Sequence, residues 1–305
     1  MFAFVFFGLL AAGTAVRIDW SFETTSHACY VAVNATIGTP GQPVHLLIVQ
    51  NAENPGVEPL VHVRRNERLD RRFREQSGPV RAGRIGDGVP VGSQPLKVVN
   101  STWFYGPYGS IGLARAPDGS SFLQHVLGAF EQKAVVFTYD RLTPDLEVKI
   151  RGRMAVGHRA EDRCAAEWTR VAETSSPWMV DVEEFSVGPF TFDRPGSAQI
   201  SVSDRVMAFP QTVFGSVLQA LGSHGQGDVP CDAQANITFD LGSVELVLTP
   251  DEYIDRSTQN TTESCKFNAY ETSFPLFVVP PTVLKRSCLL LDFEKNELGF
   301  ADRLQ

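Results

Sequence analysis

The residue types that most often carry chemistry are present in this chain, but their spacing matches no metal or nucleophile motif. The histidines occur singly, with neither an HExxH nor a short His-x-His pattern, so we expect no metal site and no bound cofactor. A GxSxG segment is absent, which argues against a serine hydrolase of the nucleophile-elbow type. The cysteines form no CxxC pair, which argues against zinc and thioredoxin-type chemistry. These residues are His27, His45, His62, His125, His158 and His224, and Cys29, Cys164, Cys231, Cys265 and Cys288.

One charged segment could bind a partner. Residues 64–74 read RRNERLDRRFR and contain six arginines. They would suit an anionic partner such as a glycosaminoglycan. We favour the simpler interpretation of a solvated surface loop that Glu67 and Asp70 neutralise in part.

The overall charge excludes one class of partner. The chain of 305 residues has a formal charge of −8, and residues 176–305 alone carry 18 acidic and 8 basic residues. An acidic C-terminal half argues against nucleic acid as the main partner.

The N-terminus has the pattern of a secretory signal peptide. Residues 2–10 read FAFVFFGLL, too short a stretch to span a bilayer, and Gly13-Thr14-Ala15 would form a small-residue cleavage site. We therefore predict a signal peptide over residues 1–15. No later stretch is apolar enough to span a membrane, so we expect a secreted, extracellular protein and, as the simplest state, a monomer.

The sequons and the cysteines also agree with a secreted protein. Asn-x-Ser/Thr occurs at Asn34, Asn100, Asn236 and Asn260, which are candidate glycosylation sites outside the cytosol. Disulfides are the natural state of cysteines there.

Short β-rich runs separated by Gly and Pro turns fill most of the chain. Clear examples are residues 30–37, 44–49, 134–139, 236–239 and 244–248. Only residues 122–132 and 211–221 have a helical pattern. The sequence thus predicts a mostly-β protein with a few short helices.

Six segments follow one another in an order typical of a known family. They are residues 30–48 (YVAVNATIGTPGQPVHLLI), 108–113 (YGSIGL), 154–158 (MAVGH), 198–210 (AQISVSDRVMAFP), 236–254 (NITFDLGSVELVLTPDEYI) and 289–301 (LLLDFEKNELGFA). Together they resemble the pepsin-like aspartic proteases. The resemblance implies a bilobal fold with a cleft, with lobes at residues 16–175 and 176–305, and a peptide or protein ligand in the cleft.

The family's chemistry uses two Asp-Thr-Gly carboxylates, one from each lobe, which share a proton and activate a water. By the resemblance, the first Asp position falls on Val49, or on Gln50 with a shift of one residue. The second falls on Ser201. The nearest acids are Glu53 and Asp204. The flap segment has Glu75 or Gln76 where the family has a tyrosine.

The resemblance also implies a disulfide between Cys231 and Cys265. Cys29 could pair with Cys164, which would leave Cys288 as a buried core thiol.

These departures predict a fold without its catalysis: a secreted pseudoprotease that binds a ligand and has no catalytic residues. An active endopeptidase that uses Glu53 or Asp204 at acidic pH is the alternative, and a family member that has lost any selected function is a third.

Overall fold

The structure is a computed structural model that describes residues 18–24, 31–37, 42–50, 84–85, 89–90, 108–116, 119, 121–142, 150–174, 178–223, 227–256 and 264–304. Several sequence predictions lie outside these residues. They concern the signal peptide at 1–15, Cys29, Glu53, the arginine-rich residues 64–74, the flap positions Glu75 and Gln76, and the sequons at Asn100 and Asn260.

Strands dominate the described residues, which confirms the mostly-β fold class. The strands are β1 (Ile18–Thr24), β2 (Val31–Ile37), β3 (Gln42–Val49), β4 (Arg84–Ile85), β5 (Val89–Pro90), β6 (Tyr108–Gly112), β7 (Ala134–Arg141), β8 (Arg151–Val156), β9 (Thr169–Ala172), β10 (Met179–Val187), β11 (Phe190–Ile200), β12 (Met207–Pro210), β13 (Asp228–Pro230), β14 (Ile237–Asp240), β15 (Glu245–Leu248), β16 (Ile254–Asp255), β17 (Ser264–Phe267), β18 (Ala269–Thr272), β19 (Leu276–Val279), β20 (Ser287–Asp292) and β21 (Glu297–Asp302). The five β-runs predicted above fall on β2, β3, β7, β14 and β15.

Helices are few and short within the described residues. They are α1 (Phe122–Leu127), α2 (Gln211–Ala220), α3 (Pro250–Tyr253) and a 3₁₀ turn at Pro281–Leu284. Helix α1 is shorter than predicted because the chain turns at Gly128, where the next two amides bond to carbonyls three residues back. No helix in this part of the chain is long and apolar enough to cross a membrane.

Two large sheets organise these strands. A nine-stranded sheet has the order β6-β3-β2-β1-β8-β7-β20-β21-β9, and a seven-stranded sheet has the order β15-β14-β10-β11-β19-β12-β18. Strands β7 and β20 lie in the interior of the larger sheet, and their apolar runs are buried on both faces. One apolar core contains residues of both sheets, including Phe137 in the first and Phe185 and Phe277 in the second.

The larger sheet crosses the predicted lobe boundary between residues 175 and 176. Strands β20 and β21 come from the C-terminal end of the chain, yet β20 pairs with β7, and β21 pairs with β9. The nine-stranded sheet therefore contains strands from both halves of the chain. The C-terminal hairpin of β20 and β21 joins strands from the N-terminal half of the chain.

In each sheet, a parallel pair of strands ends at or directly before a predicted dyad position, Val49 or Ser201. Strand β3 pairs with β6 in parallel, with Val49 opposite Gly112. Strand β11 pairs with β19 in parallel, with Ile200 opposite Val279. The two halves of the chain thus repeat the same local arrangement.

Two disulfides are present among the described residues, and one corrects a sequence prediction. Cys231 bonds to Cys265, the pair that the resemblance implied. Cys164 bonds to Cys288 instead of Cys29, with the two Cα atoms 6.1 Å apart. Cys164 forms a β-bridge with Arg303, at the end of the hairpin that contains Cys288, and this bridge brings the two cysteines together. The prediction of a core thiol at Cys288 was therefore wrong, although the residue is buried.

Candidate functional site

The two predicted dyad positions lie at the ends of the parallel-paired strands. Val49 is the last residue of β3. Ser201 directly follows β11, and its N–H donates to the carbonyl of Val279 at 2.8 Å. We call Val49, Gln50, Ser201, Val202 and Asp204 the strand-end site.

Gln50 joins the two halves of this site directly. Its side-chain Nε2 donates to the carbonyl of Ile200 at 2.5 Å, and its Oε1 accepts from the N–H of Val202 at 2.8 Å. Gln50 is buried, so both hydrogen bonds are shielded from water. One amide group therefore binds the backbone on either side of Ser201, about 150 residues further along the chain.

Tyr139 binds the same peptide segment from a third strand. Its hydroxyl donates to the carbonyl of Val202 at 2.8 Å. Burial raises the pKa of this phenol, so the hydroxyl keeps its proton and acts as a hydrogen-bond donor. Sequence reasoning placed Tyr139 in a strand but had no signal for this contact, because nothing local links it to Val202.

The Ser201 hydroxyl is turned toward its own loop. Its Oγ accepts from the N–H of Ser203 at 3.2 Å and from the N–H of Asp204 at 2.8 Å. Bonds of this kind are typical of turns that a serine side chain stabilises. Both lone pairs of the hydroxyl are thus engaged within residues 201–204.

Asp204 contributes the one carboxylate of the site. Burial raises the pKa of this half-buried carboxyl group, and a hydrogen bond with the Ser201 side chain partly opposes that shift. The structure therefore places Gln50 against the backbone on either side of Ser201, and Asp204 against the Ser201 side chain.

A charged and aromatic cluster supports the end of β6 beside Val49. The indole Nε1 of Trp178 donates to the carbonyl of Leu113 at 2.8 Å. The Arg115 guanidinium lies 5.2 Å from the centre of the Trp178 ring and forms an ion pair with Glu173. Because Glu173 and Trp178 flank the junction of the two predicted lobes, this cluster ties the junction to the strand that pairs with β3.

Among the described residues of the strand-end site, Asp204 is the one carboxylate, and a shared-proton mechanism uses two. Val49 has no exchangeable proton, and the Gln50 amide is neither an acid nor a base at ordinary pH. Within the described ranges, no group of three histidine, cysteine or acidic residues could hold a metal ion.

The predicted glycosylation sites have different environments. Asn236 is exposed, directly before β14. The backbone of Asn34 lies within β2, opposite His45 of β3.

Part of the chain matches the model of a known protein family. Residues 158–303 match the family model for eukaryotic aspartyl protease. The matched region contains Ser201, Asp204 and both disulfides, whereas Val49 and Gln50 precede it. A comparison with curated proteins found no match.

Proposed function

Because residues 158–303 match the family model for eukaryotic aspartyl protease, we propose that this protein uses a pepsin-like cleft to bind a peptide or protein segment without cutting it. One observation carries the proposal. Gln50 joins the end of β3 to the end of β11, and the predicted dyad positions at these two ends, Val49 and Ser201, have no carboxyl group.

Peptide hydrolysis by this route needs an acid and a base on opposite sides of a water. A positioned acid or base typically contributes about 10²–10⁴-fold to the rate. Valine supplies neither, and the Ser201 hydroxyl is occupied by two backbone N–H groups. Loss of both the acid and the base should abolish hydrolysis by this mechanism. The two halves of the fold would still meet at a common site.

Asp204 supports the second candidate function, an aspartic-type endopeptidase with an unorthodox site. Its carboxyl group lies against Ser201, and burial raises its pKa, as suits a group that must hold a proton at mildly acidic pH. This mechanism would need a second carboxylate, and Glu53 is the candidate that the sequence offers.

A cleavage assay separates the two functions. Purified full-length protein is incubated with a diverse peptide library from pH 3 to 7, with and without pepstatin, beside Asp204→Asn. We expect no pepstatin-sensitive cleavage from folded protein. Pepstatin-sensitive cleavage that Asp204→Asn abolishes would overturn the binding proposal and establish the endopeptidase.

A binding assay tests whether the protein binds peptides, as proposed. The same library is equilibrated with immobilised protein, and retained peptides are identified by mass spectrometry. We expect a subset with a shared sequence pattern, because a cleft selects side chains as well as backbone. Retention no different from that on heat-denatured protein would contradict the proposal.

We also propose that the protein is secreted and carries a glycan at Asn236. The predicted signal peptide, two disulfides and an exposed sequon support this route. Expression in a eukaryotic cell should release the protein into the medium, with a mass that falls on treatment with a peptide N-glycosidase. For Asn236→Gln, the fall in mass on glycosidase treatment should be smaller than for wild type by the mass of the glycan at this site. An equal fall in mass would contradict the assignment.

A further inference from the structure

We propose that the segment bound at the strand-end site is basic, and that the Asp204 carboxylate binds a lysine or arginine side chain of that segment. This inference rests on the proposed binding function and names the class of ligand. Asp204 is the acidic member of the strand-end site, and it lies in the loop that follows β11, close in sequence to Ser201.

Ser201 fixes the place of the Asp204 carboxylate. The two side chains are hydrogen-bonded, and the Ser201 hydroxyl is the donor because an ionised carboxylate can only accept. The same hydroxyl oxygen accepts from the N–H groups of Ser203 and Asp204. The carboxylate is therefore held on a short, internally bonded loop, and such preorganisation lowers the cost of binding a ligand.

The Asp204 carboxylate has no cationic partner among the residues that the structure describes. No ion pair joins it to a basic side chain there, and no charged group contributes to its raised pKa. Arg205, the next residue in the chain, therefore does not serve as its counter-ion. A half-buried carboxylate in this position is unfavourable when ionised, and a bound ammonium or guanidinium group would offset that cost.

The charge of the C-terminal half favours the same class of ligand. Residues 176–305 carry 18 acidic and 8 basic residues, and a negative potential attracts cations and speeds their association. An acidic segment would instead meet a like charge at Asp204. The site should therefore select basic segments and reject acidic ones.

The experiment begins with selection from the diverse peptide library at pH 7. Full-length wild type, Asp204→Asn and Asp232→Asn are immobilised, and the retained peptides are identified by mass spectrometry. Asp204→Asn keeps the shape of the side chain and removes its charge, whereas Asp232→Asn removes a charge at an exposed position. We expect lysine and arginine to be enriched among peptides retained by wild type and Asp232→Asn, but not among those retained by Asp204→Asn.

A second measurement locates the contact. One retained peptide that contains lysine is compared with the same peptide acetylated on that lysine, which removes the charge. Acetylation should weaken binding to wild type at least about tenfold, because a charged hydrogen-bonded pair is lost. The same acetylation should change the affinity for Asp204→Asn little, since the partner of the lysine is already absent.

Acid should weaken the contact as well. A cation binds the ionised form of Asp204, and burial raises the pKa of this carboxyl group above its ordinary value of about 3.9. Among the described residues, Arg205 on the loop and Tyr139, which binds the loop from β7, keep their charge states between pH 4 and pH 7. The affinity of wild type for the lysine peptide should therefore fall between pH 7 and pH 4, and that of Asp204→Asn should fall less.

The outcomes separate this inference from the proposed function. If wild type retains no peptide, the binding function itself is wrong. Retained peptides without enrichment in lysine or arginine would overturn the basic ligand alone, and an equal effect of acetylation on wild type and Asp204→Asn would overturn the contact with Asp204. Should Asp204→Asn fail to fold, the measurements on wild type decide: unchanged affinity on acetylation, or at pH 4, would contradict the contact.

Discussion

At the scale of single residues, the strand-end site joins groups that are far apart in the chain. Gln50, directly after β3, and Tyr139 of β7 each bind a backbone group of Val202. Buried backbone groups that lose such partners typically cost about 1–3 kcal/mol. The polar residues of the site are therefore bound to one another and to the backbone.

Asp204 is the residue whose charge works against the folded state. Burial raises its pKa, so the folded state resists ionisation more than the unfolded chain does. Its stabilising contribution is present below the unfolded pKa of about 3.9 and is lost as pH rises through the folded pKa. Asp204→Asn should thus gain stability relative to wild type between pH 4 and pH 7.

Chemical denaturation of both proteins at several pH values would measure this difference. Asp232→Asn, at an exposed position, is the control and should follow the wild-type profile. A constant difference between Asp204→Asn and wild type across this pH range would contradict the prediction.

At the scale of elements, strand β8 depends on a glycine for its packing. A Cβ at Gly152 would overlap the carbonyl oxygen of Thr138 on β7 and the ring of Phe22 on β1. Thr138 and Phe22 lie on the two strands that are hydrogen-bonded to β8, so neither strand can move without disturbing the hydrogen bonds of the sheet. We expect Gly152→Ala to lower the free energy of unfolding by at least about 1–3 kcal/mol.

A second glycine provides the matched control. Gly215 lies within α2, and a Cβ there would meet no atom within 4 Å. Alanine is the better helix former, so Gly215→Ala should stabilise the protein by about 0.5–1 kcal/mol. Denaturant unfolding of the two variants should give shifts of opposite sign, and a neutral Gly152→Ala would disprove the packing.

At the scale of the whole molecule, the Cys164–Cys288 disulfide fastens the C-terminal hairpin to the N-terminal half of the chain. It joins cysteines 124 residues apart, against 34 for Cys231–Cys265. In the chain-entropy estimate the longer loop contributes about 5 kcal/mol and the shorter about 4 kcal/mol. The longer one also joins residues on the two sides of the predicted lobe boundary.

We expect the double variant Cys164→Ala, Cys288→Ala to lose more thermal stability than Cys231→Ala, Cys265→Ala. Differential scanning calorimetry of both variants would measure the difference. Peptide mapping without reduction should find Cys164 linked to Cys288, and a Cys29–Cys164 peptide would refute this pairing.

Local patterns in the sequence were enough to place many elements. Runs such as residues 134–139 and 244–248 are short, apolar and bounded by turn residues, and such runs favour strands wherever they lie. The sequence also predicted that α2 begins just after Pro210. The ends of the elements were predicted less accurately, as at α1, because a helix can end at a turn that the periodicity of the sequence does not mark.

Taken alone, the sequence determined the fold class, the disulfide Cys231–Cys265 through a family resemblance, and the chemical identity of Val49, Gln50, Ser201 and Asp204. Tertiary structure alone decided which of these residues meet. The contacts of Gln50 with Ile200 and Val202, the pairing of Cys164 with Cys288 and the union of β7 with β20 all join distant parts of the chain. Such contacts depend on how sheets pack, and no local pattern of residue types records that packing.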